Sequence, residues 1–269
     1  MGVTANGRRQ TANRRARTAD DGAVAEREAG LAERVAETAR RPDLRRYAVK
    51  ALWRTVQGEG YWAGRPAVFV RLAGCNLWSG LDRDRQRDAA RHGNACALWC
   101  DTDFAPEGAV KLSAEAVAAE AARVGGPVRF CVLTGGEPLL QADAALVGAL
   151  HDAGFFVAIE TNGTRRLADA FGDDEAVWPD WVVCSPKLPE DRLVIEACDE
   201  LKLVVPDYRP EAYVGLAGRV RQRAGRPLLW LQPEDGPRLQ EATRLALDLC
   251  FADPRWRVSV QTHKALGVD

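Results

Sequence analysis

The sequence lacks the features that mark a membrane-spanning, secreted or nucleic-acid-binding protein. No apolar run approaches the roughly 18–20 residues that a membrane span needs, and residues 1–12 are polar and arginine-bearing, without the apolar core of a secretory signal. A formal net charge of −1 gives the whole chain no electrostatic reason to bind nucleic acid. We therefore expect a cytoplasmic protein with neither a membrane nor a nucleic acid as its partner.

The cysteines do not form the dense pattern of a small secreted disulfide scaffold. Only 7 cysteines are spread over 269 residues, and the number is odd. Four of them lie in apolar or helical contexts, where a small buried side chain is the ordinary role of a free cysteine. These four are Cys131, Cys184, Cys198 and Cys250. The other three, Cys75, Cys96 and Cys100, lie close together in one irregular segment and need another explanation.

The overall composition is that of an ordinary globular protein. Hydrophobic residues make up 46% of the chain and charged residues 28%, with 24 Gly and 14 Pro. These proportions exclude a collagen-like, coiled-coil or largely disordered chain. The length is sufficient to bury a substantial core in one large domain or two small ones.

The first 45 residues differ from the remainder. Residues 1–19 carry several arginines and no acidic residue, and residues 23–41 are rich in Ala, Glu and Arg and predict an exposed helix that Pro42 ends. The arginine run is compatible with a nucleic-acid-binding arm, but a solvated tail is the favoured interpretation. We expect residues 1–45 to form an N-terminal extension and residues 46–269 to form the catalytic domain.

From Tyr47 onwards short apolar strands alternate with helices, which is typical of a parallel α/β sheet covered on both faces. Six to eight strands favour a full or partial (β/α) barrel. The predicted strands are Tyr47–Thr55, Ala67–Ala73, Val128–Leu133, Phe155–Glu160, Trp181–Cys184, Leu201–Val205, Leu228–Leu231 and Arg257–Gln261. The predicted helices are Ser113–Val124, Leu139–Ala153, Arg165–Phe171, Glu211–Arg223 and Arg238–Phe251, the first with Ser113 as its cap.

Polar turns follow four of these strands. They are Thr134–Pro138, Glu160–Gly163, Ser185–Lys187 and Gln232–Asp235. In a parallel α/β sheet, functional groups lie where strands hand over to helices, at the carboxyl edge. One such turn alone would be explained by loop chemistry. Together the four predict a single site.

The three clustered cysteines can supply three thiolates to a metal centre. Structural zinc needs four nitrogen or sulfur ligands, so a zinc site completed by His92 stays open at this point. An iron–sulfur cluster on three protein thiolates fits better, because it leaves one iron free to bind a reactive group.

At these residues the sequence resembles 7-carboxy-7-deazaguanine synthase, a family of radical S-adenosylmethionine (SAM) enzymes. The resemblance covers about Tyr47 to Asp269, and the combination of motifs is highly specific. The matching segments are Thr55–Gly60, Gly64–Phe69, Cys75–Gly80, Cys100–Phe104, Thr134–Pro138, Glu160–Gly163, Ser185–Lys187 and Gln261–Lys264.

The resemblance implies a partial barrel of the radical SAM type and a defined reaction. In the family, the open iron of a [4Fe–4S] cluster binds SAM, and one electron cleaves SAM to give a radical. This radical takes a hydrogen atom from C6 of 6-carboxy-5,6,7,8-tetrahydropterin. Ring contraction and loss of ammonia then give 7-carboxy-7-deazaguanine, a precursor of queuosine-type bases. Mg²⁺, an electron donor such as flavodoxin, and a homodimer are also implied.

Site residues follow from the same resemblance, position by position. The cluster ligands are Cys75, Cys96 and Cys100, and Thr102 matches the Mg²⁺ ligand; without the resemblance, Asp101 or Asp103 would be the better candidates. The SAM-binding positions are Trp99, Cys100, Asp101, Gly136, Ser185, Pro186, Lys187, Gln232, Pro233, Glu234 and Asp235. The substrate-binding positions are Val56, Gln57, Gly58, Arg71, Thr134, Glu160, His263 and Asp269. Arg71 is expected to fork onto the substrate carboxylate.

The chain departs from the family pattern at three places. Three residues separate Cys96 from Cys100, where members with this motif usually have two, and the insertion before Cys96 is longer; we expect a bulge in the loop to absorb the added residue. The last residue is Asp269 instead of Pro, and its terminal carboxylate is expected to bind the pterin edge. Residues 1–45 have no counterpart in shorter relatives. Two alternatives remain: another radical SAM enzyme, such as a glycyl-radical-enzyme activase, and a zinc- or cluster-bearing nucleic-acid-binding protein.

Overall fold

A computed structural model describes residues 29–41, 44–222 and 227–268. The chain divides into two units, Met1–Arg45 and Arg46–Asp269. In the first unit residues 29–40 form a helix, α1, so the helix predicted over 23–41 falls partly outside the described residues. Within the described residues, no helix has the length and apolarity needed to cross a bilayer.

The second unit is built on one nine-stranded sheet in the order β3-β1-β2-β4-β5-β6-β7-β8-β9. β1 pairs antiparallel with β2 and β3, and the pairs from β2–β4 to β8–β9 are all parallel. The expected partial barrel is confirmed, because the sheet is open. The strands are β1 Tyr47–Val56, β2 Pro66–Leu72, β3 Val110–Leu112, β4 Phe130–Gly135, β5 Phe156–Thr161, β6 Trp181–Cys184, β7 Glu200–Val205, β8 Leu228–Pro233 and β9 Trp256–Val258.

The helices of this unit lie between the strands, except for α9, which follows the last strand. They are α2 Arg85–His92, α3 Cys96–Trp99, α4 Ala114–Gly125, α5 Ala144–Asp152, α6 Leu167–Phe171, α7 Val214–Gly218, α8 Leu239–Ala252 and α9 Thr262–Leu266. The Ser113 hydroxyl accepts a hydrogen bond from the backbone N–H of Ala116 at 3.2 Å, so it caps α4 as predicted.

Several helix predictions were wrong in extent. The helix predicted from Leu139 is divided, because a 3₁₀ turn at Pro138–Leu140 comes first and Asp143 then caps α5 through the N–H of Leu146 at 3.0 Å. The helix predicted over 211–223 shrinks to α7, which contains two glycines that weaken a helix. The segment expected to be irregular between Cys75 and Gly108 instead contains α2 and α3.

One cluster of the hydrophobic core lies toward the amino-terminal ends of the parallel strands. Phe130, Trp181 and Leu228 begin β4, β6 and β8 and are buried together, with Trp62 and Phe156 packed against them. The guanidinium carbon of Arg65 lies 4.4 Å from the ring centres of both Trp62 and Phe130. Aromatic packing therefore fills one end of the sheet and leaves the carboxyl ends of the strands for polar groups.

The packing makes a stability prediction at Leu133, which is fully buried in β4. Leu133→Ala should lower the free energy of unfolding by about 2–5 kcal/mol, because it leaves a cavity in the core on one face of the sheet. Leu247→Ala is the matched control, since Leu247 is 41% exposed on α8 and its loss should cost about 0.5 kcal/mol or less. Urea unfolding of the metal-free protein measures the free energy of unfolding of both variants. Equal losses in the two variants would contradict the burial of Leu133 in the core.

Candidate active site

The carboxyl ends of the strands meet around a cavity of about 800 Å³. Three of the four predicted polar turns place at least two residues on its wall, and the fourth contributes Gln232. The cluster segment and the first turn of the domain complete the lining. The predicted site residues that line it are Val56, Gln57, Gly58, Arg71, Cys75, Cys96, Trp99, Cys100, Asp101, Thr102, Thr134, Gly136, Glu160, Ser185, Lys187, Gln232 and His263.

The three cysteines reach this cavity from two segments. Cys75 follows the end of β2, and Cys96 and Cys100 bracket the single helical turn α3. The turn is closed by a 2.8 Å hydrogen bond from the N–H of Cys100 to the carbonyl of Cys96. Residues four apart on a helix share one face, so the three-residue gap places both thiols on the same side. The added residue is therefore accommodated by a helical turn and not by the bulge that we expected.

The thiols interact directly. The Cys96 thiol is hydrogen-bonded to the Cys100 sulfur, which raises the pKa of Cys96 and lowers that of Cys100 to about 6. Burial raises the pKa of Cys75 to about 11. The hydrogen bond shows that the Cys96 and Cys100 sulfurs are neighbours. Cysteines bind iron as thiolates, and the lowered pKa of Cys100 favours that form.

A single-metal site is not built from these groups. Within the described residues, no group of three or more His, Cys, Asp or Glu side chains is arranged to hold one metal ion. A zinc site completed by His92 therefore has no support in the geometry. A four-iron cluster makes a different demand, because each thiolate binds its own iron and the ligands need not meet at one point.

Gly136 lies against the cysteine segment so closely that no side chain fits. A Cβ atom there would come within 2.5 Å of both the Cys75 Cβ and the Gly74 carbonyl oxygen. The next residue strengthens this join, since the N–H of Glu137 donates to the Gly74 carbonyl at 3.0 Å. The turn after β4 thus presents bare backbone beside the cysteines, as a ligand that binds along it requires.

The Glu137 carboxylate fixes the neighbouring strand ends. It accepts hydrogen bonds from the N–H of Leu139 at 3.0 Å, the Thr161 hydroxyl at 2.8 Å and the N–H of Asn162 at 2.7 Å. Burial raises the pKa of Glu137 to about 7, while these donors oppose the rise. The side chain does not line the cavity, so its role is to hold the turns after β4 and β5 together.

A buried charge network forms the opposite wall. The ammonium group of Lys202, in β7, is hydrogen-bonded to Glu59 and lies 3.2 Å from Glu160 Oε2. Glu59 also accepts hydrogen bonds from the amides of Gln232 at 2.9 Å and Gln261 at 2.7 Å. Burial acts to raise the pKa of Glu59, but Lys202 and Gln261 favour its ionised form and bring the pKa down to about 2. The same two carboxylates raise the pKa of Lys202 against the effect of burial.

Predicted substrate-binding residues extend from this network. Gln57 donates from Nε2 to Glu160 Oε1 at 3.0 Å, so the amide and the carboxylate hold each other in place. His263 packs on Gly58, where an added Cβ would lie 1.8 Å from the ring Nδ1. The Thr262 N–H and hydroxyl both donate to the Gly58 carbonyl, at 2.9 and 3.0 Å, and fasten α9 to this turn.

Arg71 lies beside Thr134, with which it is paired in the register of β2 and β4. Its guanidinium carbon is 4.8 Å from the ring centre of Trp53. Stacking on an aromatic face suits the planar guanidinium and fixes the plane in which its forked donors lie.

The cluster segment is joined to the ends of β6, β7 and β8. Lys187 donates to the Ser185 hydroxyl at 2.6 Å and lies 5.9 Å above the Trp99 ring. Trp99 donates from its indole N–H to Asp207 at 2.9 Å. Lys264, from α9, lies 3.4 Å from Asp101 and 2.5 Å from Asp235, so it bridges two predicted SAM-binding positions.

Some predicted residues are not on the cavity wall. Pro186, Pro233, Glu234 and Asp235 belong to turns that reach it, but the wall takes only their neighbours. Glu234 is paired with Arg238, and Asp235 with Lys264. Asp269 lies outside the described residues. The binding roles of all these positions stay predictions.

The lining residues that were not predicted from the sequence include Trp53, Glu59, Lys202, Gln261 and Lys264. A signal existed for Lys202, because a lysine inside the apolar run Leu201–Val205 needs an opposite charge when it is buried. Glu59 stands next to Gly58 in a segment that was singled out, but only the network shows its purpose.

Comparisons with known proteins show the family of the chain. No protein-family model matches the chain. A protein of Bradyrhizobium diazoefficiens named 7-carboxy-7-deazaguanine synthase is 44% identical over 233 residues, which span 82% of this chain and 99% of the relative. A protein of the same name from Bordetella pertussis is 45% identical over 231 residues, again 82% of this chain and 99% of the relative.

The chain belongs to the 7-carboxy-7-deazaguanine synthase family.

The crystal structure of QueE from Escherichia coli is similar in fold, with a TM-score of 0.57 and 28% identity over 80% of this chain and 94% of that one. Membership of the synthase family sets aside the activase and nucleic-acid-binding alternatives. It also confirms the recognition made from the sequence motifs.

The charge network makes a prediction for Lys202. Lys202→Met should lower the free energy of unfolding at neutral pH by about 3–5 kcal/mol, because it leaves two largely buried carboxylates without their cation. Lys111→Met on the exposed face of β3 is the control and should cost little.

The loss of stability in Lys202→Met should become smaller as the pH falls. The pKa of Glu59 is lowered from 4.5 to about 2 in the fold, so its contribution to stability is complete above pH 4.5 and is lost as the pH falls through 2. The difference between Lys202→Met and the wild-type protein should therefore narrow in acid. A difference that stays constant down to pH 2 would contradict the ion pair.

Proposed function

We propose that this cavity is the active site of a 7-carboxy-7-deazaguanine synthase. The enzyme converts 6-carboxy-5,6,7,8-tetrahydropterin to 7-carboxy-7-deazaguanine with loss of ammonia, in the biosynthesis of queuosine-type bases. The observation that carries the proposal is the meeting of three cysteines and four strand-end turns around one cavity. All described residues that line this cavity belong to 46–269, the proposed catalytic domain, with residues 1–45 as an extension.

The residues present fit a [4Fe–4S] cluster and SAM. Cys75, Cys96 and Cys100 are free and line the cavity, and three thiolates leave one iron open. Cys96 and Cys100 are hydrogen-bonded to each other, and Cys75 interacts electrostatically with both. When bound, the cluster and SAM together supply the one-electron chemistry that removes a hydrogen atom from the substrate. The bare backbone at Gly136 gives the methionyl part of SAM access to the cluster side of the cavity.

The protein's own groups orient SAM and exclude water. Trp99 lines the cavity and is held there by its hydrogen bond to Asp207. Lys187 lies over the Trp99 ring and is held by its hydrogen bond to Ser185. Gln232 is fixed by its hydrogen bond to Glu59. Groups that are already held in place lose little freedom on binding, which is how a protein positions reactants for a reaction that the cofactor performs.

Two charges are positioned to recognise the substrate. The Arg71 fork suits the pterin carboxylate, since a planar guanidinium binds a carboxylate through two parallel hydrogen bonds. Glu160 is an acceptor for the N–H groups of the pterin ring. The Glu160 carboxylate is held in place by Gln57 at 3.0 Å and by Lys202 at 3.2 Å. His263 and Thr134 complete the polar edge.

A Mg²⁺ ion near Thr102 is part of the proposal. Thr102 lines the cavity next to Cys100, whose sulfur it contacts through a hydrogen bond. Mg²⁺ retains most of its water and needs few protein oxygens, so one hydroxyl with substrate oxygens is sufficient. Asp103 is a weaker candidate, because it is 67% exposed and paired with Lys50 at 3.1 Å.

The remaining parts of the proposal concern the setting of the enzyme. Reduction of the cluster needs an electron donor, and a flavodoxin is proposed for it. A homodimer is proposed from the family resemblance. A cytoplasmic location suits a chain whose seven cysteines are all free, because thiols stay reduced there.

The cluster assignment predicts the behaviour of three variants. Cys75→Ala, Cys96→Ala and Cys100→Ala should each lose most of the iron after anaerobic reconstitution, whereas the wild-type protein should hold about four irons and four sulfides per chain. Cys250→Ala, at a half-buried cysteine on α8, is the control and should bind iron normally. Full iron content in Cys96→Ala would remove that residue from the ligand set.

Substrate recognition predicts a selective effect at Arg71. Arg71→Lys should raise the KM for the carboxypterin about tenfold or more, because the forked pair is lost, while iron content and SAM binding stay normal. Arg129→Lys provides the same change at another arginine that stacks on an aromatic ring, 5.3 Å from Phe155 and away from the cavity. An unchanged KM in Arg71→Lys would rule out this role.

A further inference from the structure

In the insertion between Cys75 and Cys96, one arginine makes several contacts with the cysteine turn. Arg85 is the first residue of α2, and all three nitrogens of its guanidinium donate hydrogen bonds. Nε donates to Asp82 at 2.8 Å, Nη1 to the carbonyl of Ala97 at 2.9 Å, and Nη2 to the carbonyl of Cys100 at 2.9 Å. The guanidinium carbon also lies 4.4 Å from the ring centre of the buried Trp78.

The two carbonyls that Arg85 binds belong to the end of the cysteine turn. The last carbonyls of a helix have no partner within it, and a positive charge at that end is favoured by the helix dipole. A helix as short as α3, Cys96–Trp99, is not stable alone, because one turn fixes many dihedral angles for few hydrogen bonds. The geometry of the Cys96–Cys100 pair therefore depends on contacts from outside the turn.

The opposite end of the turn is held by the same insertion. Asn94 accepts from the N–H of Ala97 at 2.9 Å and donates to the carbonyl of Leu77 at 3.1 Å, which links the second cysteine segment to the first. Asp88, on α2, accepts from the N–H of Ser79 at 2.8 Å. The insertion thus contacts both segments that carry cysteines.

We propose that Arg85 is a positioning residue that holds the Cys96–Cys100 turn in the shape required to bind the cluster. The proposal rests on the assignment of these cysteines as cluster ligands. It explains how the chain uses a three-residue gap between the last two cysteines: the gap forms a helical turn, and the longer insertion supplies the arginine that caps it. Lysine cannot replace this residue, because a single ammonium group cannot bind two separate carbonyls and stack on Trp78 as the planar fork does.

Three variants separate this role from a general effect of charge. Arg85→Lys keeps the charge and loses the fork, and Arg85→Gln loses both. Arg83→Gln is the matched control, since Arg83 lies in the same insertion with its side chain 80% exposed. Each variant is prepared as full-length protein, once without iron and once after anaerobic reconstitution.

Hydrogen exchange of the iron-free chain gives the first readout. The peptide covering residues 94–104 should exchange about tenfold faster or more in Arg85→Lys and Arg85→Gln, while β4 and β5 exchange as in the wild type. Faster exchange over the whole chain would show a general stabilising role and overturn the proposal. Unchanged exchange in 94–104 would also overturn it.

Iron release from the reconstituted protein gives the second readout. Both Arg85 variants should lose iron to a chelator several times faster than wild type and Arg83→Gln, and the electron paramagnetic resonance spectrum of their reduced cluster should change with the ligand geometry. Normal iron retention with an unaltered spectrum would overturn the proposal, even if local exchange rises. If the wild-type protein holds no cluster, the proposed function fails, and the exchange experiment still decides whether Arg85 holds the turn.

Discussion

The site depends on one buried positive charge, the ammonium group of Lys202. It is paired with Glu59 and Glu160, and through Glu59 it is connected to Gln232 and Gln261. These five residues come from the turn after β1, from β5, β7 and β8, and from the segment before α9. Buried charges are tolerated only when they are paired, so this network fixes how the strand ends approach one another. The cavity wall is a consequence of that arrangement.

A second constraint joins the cofactor side to the same sheet. Gly136 comes so close to Cys75 that any side chain would separate the turn after β4 from the cysteine segment. Arg85 and Asn94 then hold the other two cysteines from the insertion. The cavity thus has a charged wall that suits a pterin and a sulfur-bearing wall that suits an iron–sulfur cluster. The two walls lie at the same edge of the sheet.

The sequence was sufficient to locate the site because it follows from topology. Parallel strands end at one edge, so the turns at Thr134, Glu160, Ser185 and Gln232 could be grouped before any contact was known. The open sheet and a single site at its carboxyl edge were predicted for this reason, whereas the family and the individual site residues were predicted from the motifs that resemble the synthase family. The existence of β3 and its edge position beside β1 came only from the structure, since strand pairing over long separations leaves little local pattern.

The parts that could not be predicted depend on contacts between distant residues. Lys202 and Glu59 are far apart in sequence, and neither their spacing nor the charge pattern predicts that they pair with each other. The insertion that contains α2 is rich in charged residues, and this composition is typical of a loop. In the structure it forms α2, because Asp88 and Arg85 bind the backbone of the cysteine segments. The helical turn at Cys96 does have a signal in the sequence. Cys96 and Cys100 are four positions apart, which is the spacing that places two side chains on one face of a helix.

The central claim is that this cavity contracts a carboxypterin to a deazapurine. The most direct measurement is anaerobic reconstitution of the full chain with iron and sulfide, followed by SAM, dithionite, Mg²⁺ and 6-carboxy-5,6,7,8-tetrahydropterin. Chromatography with mass detection should show 7-carboxy-7-deazaguanine that accumulates over many turnovers, together with ammonia. A protein that holds its full complement of iron and cleaves SAM but forms no deazapurine from this pterin would contradict the account.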